Sequence, residues 1–209
     1  MSNTSTTSQD KRDRRRKVAA LLAGGLVVGV GTAATLAAWN DSEFATSSFT
    51  AGTFNLKGQV DSGSGFTDHN TTPGGTLTFT APFNNLTPTD VVYAPYGLVL
   101  ADGTTNDADV ALSLDSTNSG AALSHLTYSV VKVSSWGCNA AAFAGGTAIT
   151  SNASFSATGS TVGSTTLAKP AAAGSDGVPA YLCFKVTADS TLGQSTSGTA
   201  TWKFTATSK

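Results

Sequence analysis

The sequence predicts an all-β fold, a jelly-roll-like β-sandwich that follows an N-terminal signal-peptide helix. After residue 38, apolar residues recur at every second position and not at every third or fourth, which is the periodicity of strands. Clusters of Gly, Ser, Asn and Asp, such as residues 61–75 and 101–109, separate these stretches as turns and loops do. Roughly eight to ten short strands with one apolar face each need a second sheet to cover them, which predicts a sandwich.

The first 38 residues have the form of an export signal. Six basic residues lie within residues 11–17, and residues 18–38 carry no charge. An uncharged run of this length is also long enough to anchor a chain in a bilayer. Because the run is rich in the weakly inserting Gly and Ala and ends in small residues, we expect cleavage between Ala38 and Trp39. Sec export is favoured over the twin-arginine route, since arginines alone are weak evidence for the latter.

Residues 39–209 are then predicted to form one exported domain. They contain six Lys, no Arg, one Glu and ten Asp, a net charge of -5 that the whole-chain value of -1 conceals. A mildly acidic surface without arginine is a poor match for phosphate groups, so nucleic acid is not expected as a partner. About 170 residues are enough for a single domain with its own core.

Cys138 and Cys183 are the only two cysteines. An even pair in an oxidising compartment is best explained by a disulfide bond between them. The alternative, a metal-binding or catalytic thiol, has no suitable residue near either cysteine in the sequence.

Five stretches alternate apolar and polar residues most clearly. They are residues 75–83, 109–115, 124–133, 179–188 and 198–207. In the first of these, Pro82 favours an edge strand or a bulge, because proline cannot donate a ladder hydrogen bond. Residues 140–173 are low in bulk and are expected to form a long excursion with short edge strands.

The reactive groups needed for catalysis are few. The chain has two histidines, His69 and His125, and neither belongs to an HExxH zinc motif. No G-x-S-x-G elbow occurs, although a dispersed Ser-His-Asp triad leaves no sequence signature. No catalytic residue, metal site or cofactor is therefore assigned, and the protein is predicted not to be an enzyme.

Two weaker binding patterns are present. Asp102, Asp107 and Asp109 offer carboxylates from one loop, which suits either a calcium ion or a turn whose Asp and Asn bond the backbone. Their spacing departs from the EF-hand pattern, which favours the turn. Three aromatic residues could stack on sugar rings or pack within the fold. They are Tyr93, Tyr96 and Trp136.

The leader junction resembles that of the TasA and camelysin family of secreted proteins, which carry a SipW-type signal peptide. The matching stretch is AAWNDSEFATSSFTAGTFNL, residues 37–56, in which an aromatic follows Ala-Ala at the cut and a Phe-x-Ala-Gly-Thr strand comes later. Weaker matches are NLTPTD at 85–90, with Thr89 in place of a glycine, TTNDADVALSLD at 104–115, and TATWKFTAT at 199–207. The resemblance implies a jelly-roll domain processed by a dedicated signal peptidase, acting at the cell surface or in a biofilm matrix. Camelysins are described as metallopeptidases, but this activity is not expected of the present chain, because it has no zinc motif.

The same stretch predicts a strand that a neighbouring copy could accept. Free N-terminal β segments add to open sheet edges. Phe49 and Ala51 share one parity, Phe54 and Leu56 the other, so Gly52 is expected to form a bulge between them. The alternative is that this strand pairs within its own domain.

Three functions follow for testing. The first is a secreted structural protein that self-associates through its N-terminal strand and meets a membrane only through the leader before cleavage. The second is a binding module for a wall polysaccharide or a calcium-dependent ligand. The third is a metallopeptidase, which the missing zinc motif disfavours.

Overall fold

The computed structural model of the chain describes residues 7–35 and 42–209. The chain divides into two units, with the boundary between Phe49 and Thr50. In the first unit, helix α1 spans Thr7–Thr35, within the segment predicted to be the leader. Among the described residues, no helix has both the length and the apolar character that crossing a membrane requires. Ala38 and Trp39, the predicted cleavage site, lie outside the described residues.

The second unit is mostly β. A 3₁₀ helix covers Ala121–His125 and a short helix, α2, covers Ala140–Ala144. The eight strands are β1 Leu56–Gln59, β2 Val91–Leu100, β3 Ala108–Leu114, β4 Leu126–Val133, β5 Thr147–Ser154, β6 Thr161–Leu167, β7 Ala180–Ala188 and β8 Trp202–Ser208.

These strands form two sheets in which every neighbouring pair is antiparallel. The larger sheet has the order β1-β2-β7-β4-β5, and the smaller has the order β6-β3-β8. The inner faces of both contribute to one apolar core. Leu112 of β3 and Phe184 of β7 are both almost fully buried in it. The predicted all-β, sandwich-like class is thus confirmed.

The predicted alternation holds for β3 and β8 of the smaller sheet. In β3, Val110, Leu112 and Leu114 point inward and are each 1% exposed. Ala111 and Ser113 between them are only partly buried, because they lie on the outer face. This period of two follows from the pleat of the strand.

Strand β2, the longest in the protein, was not among the predicted strands. Its second half, from Tyr96 to Leu100, is buried on both faces, so the sequence there is a continuous apolar run without alternation. Pro95 lies at its centre and pairs with Cys183 of β7. On the other side β1 pairs only with residues 97–100 of β2, so the edge beside Pro95 has no ladder partner in β1.

Residues 75–83 show the opposite difference, because the predicted strand is not formed there. In place of a ladder, the stretch makes one interstrand backbone hydrogen bond, from the Thr80 N–H to the Tyr93 carbonyl at 2.8 Å. Its apolar alternation is real, since Leu77 and Phe79 pack against the core. Alternation alone could not form a strand without a partner at the right distance.

The predicted disulfide between Cys138 and Cys183 is confirmed, with the two Cα atoms 5.0 Å apart. Cys183 lies in β7 and is fully buried. The bond therefore ties the loop after β4 to the central strand of the larger sheet. Residues 140–173, predicted as an excursion with short edge strands, contain α2, β5 and β6, and both strands are edge strands.

Candidate functional site

One flank of the sandwich is open. On this flank β1 ends the larger sheet and β8 ends the smaller one, and no ladder joins them. A groove of about 950 Å³ lies along the flank. Its walls include Leu56 of β1, Tyr96 of β2 and the residues from Thr199 to Ala206. An edge strand with unpaired N–H and C=O groups is a template for a further strand.

The burial of β8 shows that this flank is only partly covered. Trp202, Phe204 and Ala206 take the inward positions of β8 and pack against the core, yet all three are only partly buried. The corresponding positions of β3, the next strand in the same sheet, are almost fully buried. Since both strands alternate in the same way, the difference comes from the missing neighbour of β8.

Aromatic rings line the floor of the groove. The Phe204 ring stacks on Tyr96 with centroids 5.3 Å apart, and Trp202 meets Phe184 edge-on at 5.1 Å. These pairs join the two sheets under the groove. The Trp202 Nε1 atom is buried and, within the described residues, has no hydrogen-bond acceptor. Burial in the same region raises the pKa of Tyr96 to about 12.

The residues before β1 are exposed, and they include Phe49, Ala51 and Gly52 of the predicted donor strand. Residues 42–52 have no regular secondary structure, and Phe44 and Phe49 are 89% and 94% exposed. Ala51 and Gly52 are exposed as well. Large apolar side chains this exposed are candidates for burial in a partner.

The segment is joined firmly to the domain at its C-terminal end. Thr53 forms a bridge with Thr104, and the Ala101 N–H donates to the Asn55 carbonyl at 2.9 Å. Phe54 is 40% exposed and lines the groove, and Leu56 begins β1.

The structure corrects the predicted extent of this strand. Regular pairing begins at Leu56 and not at Phe49, so Gly52 is not a bulge in a continuous ladder. Among the described residues, no strand runs beside residues 48–52 that they could pair with.

The acidic loop does not gather its carboxylates. Asp102 accepts from the Gly174 N–H and Asp107 from the Lys169 N–H, both at 2.9 Å, while Asp109 pairs with Lys209 at 2.7 Å. Each carboxylate thus binds a different partner. Nowhere in residues 7–35 and 42–209 do three or more His, Cys, Asp or Glu residues come together as a metal site would need.

The two histidines lie apart from each other. His125 Nδ1 lies 3.3 Å from Asp189 and 3.0 Å from the Thr191 hydroxyl. The Thr191 N–H, its hydroxyl and His125 together hold the pKa of the Asp189 carboxyl below its ordinary value. His69 contacts the Thr67 hydroxyl at 3.2 Å and lines the groove.

The three aromatic residues considered for sugar stacking do not share a surface. Tyr96 is buried in the core. Tyr93 packs on Phe143 of α2 with centroids 6.1 Å apart, and Trp136 packs on Tyr181 at 6.0 Å. Each is therefore engaged in packing within the domain.

Sequence reasoning singled out Phe49, Ala51 and Gly52, which are exposed, but missed the groove, and the donor role of these residues stays a prediction. The only sequence signal for the groove was the alternation of residues 198–207, which identifies the strand and not its free edge. In comparisons with known proteins, the chain matches no family model and no curated protein.

Proposed function

We propose that this protein is an exported structural protein of the cell surface or extracellular matrix whose copies associate by strand addition. Residues 42–52 of one copy pair with the free edge of β8 in the next copy and fill its groove. The observation that carries the proposal is that one chain has both an exposed, unpaired aromatic segment and a strand edge without a ladder partner beside a groove of about 950 Å³. Strand addition joins such surfaces through main-chain hydrogen bonds.

The exposed segment is long enough to lie along the whole of β8. Eleven extended residues span about 36 Å, whereas the seven residues of β8 span about 23 Å. The seven residues 45–51 can therefore pair along all of β8, with residues 42–44 free at the N-terminal end and Gly52 as the connection to Thr53. The fixed end of the segment at Thr53 keeps that connection short.

The side chains also match. In a regular strand Ala45, Ser47, Phe49 and Ala51 share one face, so one large apolar group and three small ones enter the groove. Phe44 lies on the opposite face. Glu43 is the only charged residue in the segment, and the groove walls carry Lys203, Asp115 and Lys57, the last of which pairs with Asp176.

The association is open-ended. The donor segment and the β8 edge are different surfaces of the same chain, so each added copy presents a new free edge. A heterologous contact of this kind makes chains of subunits unless the rotation closes a ring. The leader supports export through a signal peptidase, and a disulfide is compatible with an oxidising, extracellular location.

The test compares two matched substitutions in the full chain, Phe49→Ser and Phe44→Ser. Both side chains are almost fully exposed, so neither change affects the folded domain. Burial of a phenylalanine contributes about 1.5–3 kcal/mol, so Phe49→Ser raises the dissociation constant about 10- to 150-fold. Phe44→Ser changes it only slightly. Sedimentation velocity measures the constant, and electron microscopy shows whether filaments form.

Equal assembly by the Phe49→Ser chain and the unchanged protein contradicts the proposal. A protein that stays monomeric at high concentration and melts at a higher temperature with wall polysaccharide or calcium favours a binding module instead.

A further inference from the structure

Residues 76–80 have the side-chain pattern of a strand and lie in the groove. Leu77 and Phe79 are half-buried, pack against the core and line the groove. Thr76, Thr78 and Thr80 between them are exposed. We call residues 76–80 the groove cover.

The groove cover is held mainly by its side chains. None of the turn, loop and inter-element backbone hydrogen bonds of the described residues involves residues 76–79. At its end, the Thr80 N–H donates to the Tyr93 carbonyl at 2.8 Å, and the Tyr93 N–H donates to the Thr80 hydroxyl at 3.0 Å. By comparison, all four residues of β1 pair with β2. A segment with so few backbone bonds can leave its position at low cost.

Its position obstructs one end of β8. The Phe79 ring lies 6.2 Å from the Trp202 ring, centroid to centroid. Trp202 is the first residue of β8, and its Nε1 atom has no acceptor among the described residues. A strand paired along the whole of β8 needs the space beside Trp202 that Phe79 now occupies.

Glycines precede the groove cover and a turn follows it. Gly74, with φ of 75°, and Gly75 precede it. A turn follows it, in which the Asn85 N–H donates to the Pro82 carbonyl at 2.7 Å. A positive φ suits glycine, which lacks a Cβ atom.

We infer that the groove cover is a resident competitor of the incoming strand. Through Phe79 it shields Trp202 in the free protein, and it must leave the Trp202 end of β8 before a segment from another copy can pair there. The inference rests on the proposed function, because it concerns the same groove. As a consequence, the apparent affinity between copies depends on how readily the groove cover leaves its position.

The test separates the cover from the donor. The acceptor is the full chain with Phe49→Ser, which keeps the groove but has a weakened donor. The probe is a labelled peptide of residues 42–52, SEFATSSFTAG, whose affinity is measured by fluorescence anisotropy. Adding Leu77→Ser and Phe79→Ser to the acceptor weakens the cover, and adding Thr76→Ser and Thr78→Ser provides the matched control. Circular dichroism shows that each acceptor is folded.

The expected result is that the weakened cover binds the peptide roughly fivefold or more tightly than the control, because more molecules have a free groove. Equal or weaker binding by the Leu77→Ser, Phe79→Ser acceptor overturns the inference, since the cover would then be a neutral or necessary wall. If the peptide binds no acceptor at all, the proposed function fails and the inference fails with it.

A second measurement needs no change in the cover. Hydrogen exchange of the Thr80 and Tyr93 amides is followed by NMR in the Phe49→Ser acceptor, with and without peptide. Displacement of the cover removes both hydrogen bonds, so both amides exchange faster when the peptide binds. Slower exchange at both amides would show that residues 76–80 stay and become a permanent strand, which contradicts the inference.

Discussion

The disulfide makes the most quantitative prediction about stability. Cys138 and Cys183 are 45 positions apart, and the bond closes the loop that contains α2, β5 and β6. Closing a loop of this length removes enough entropy from the unfolded chain to stabilise the fold by about 4 kcal/mol. Changing both residues to alanine is the suitable perturbation, because serine at the fully buried position 183 would add a hydroxyl without a partner.

We expect the double variant Cys138→Ala, Cys183→Ala to lose about 4 kcal/mol of unfolding free energy, with about 1 kcal/mol more from the missing sulfur atoms. For a domain of this size the melting temperature then falls by roughly 8–20 °C. Urea unfolding followed by circular dichroism measures the loss, and Ser135→Ala, an exposed change just before Cys138, is the control.

Other contacts also hold the disulfide-closed loop in place, so removing the disulfide can cost less than the entropy estimate. Phe143 of α2 packs on Tyr93, and the Lys185 ammonium lies 4.8 Å from the Phe143 ring centre. These contacts hold the loop against β7 without the disulfide. A loss below about 1 kcal/mol would show that they restrict the unfolded chain as well, and the loop-entropy reasoning would be wrong.

Two further predictions concern the core. Burial raises the pKa of both Tyr96 and Tyr128 to about 12, above the value of 10.0 in an unfolded chain. The stability gained by keeping both tyrosines neutral is therefore complete below pH 10 and is lost as the pH rises towards 12. Urea unfolding midpoints measured between about pH 9 and pH 12 will show this loss. Ionisation of both tyrosines near pH 10 in the folded protein would contradict the prediction. Gly163→Ala in β6 places a Cβ atom against the Ile149 carbonyl group, so we expect a loss of about 1–3 kcal/mol in thermal unfolding. Gly145→Ala, whose nearest atom would be 3.7 Å away, is the control, and equal melting temperatures for the two variants would refute the steric argument.

Local pattern predicted the strands whose two faces differ. Residues 109–115, 124–133, 179–188 and 198–207 overlap β3, β4, β7 and β8, and the largest difference is at β8, which begins four residues later than predicted. In β3, β7 and β8 one face is buried more deeply than the other, so the alternation is visible in the sequence. In β4 it is visible only at Leu126, Tyr128 and Val130, because the middle of that strand is buried on both faces. Strand β2 was not predicted, because its second half is buried on both faces and its sequence does not alternate there. The strand predicted over residues 75–83 is wrong, because alternation shows which side chains face the core and not whether a partner strand is present.

The candidate site was half predicted. Phe49 and Ala51 were singled out from their position after the leader, and the structure leaves both exposed. The groove was not predicted, because its walls come from residues as far apart as Phe54, Leu77 and Phe204. No local pattern joins positions separated by so many residues.

By itself, the sequence determined the β class, the inward faces of most strands and the pairing of the two cysteines, because each depends on local alternation or on there being only one possible pair. Only the tertiary structure decided which strand edge is free. Val110 in β3 and Phe204 in β8 occupy inward positions of similar strands, yet one is 1% exposed and the other is only partly buried. The physical reason is that backbone pairing is satisfied by neighbouring strands, and β3 has two neighbours where β8 has one.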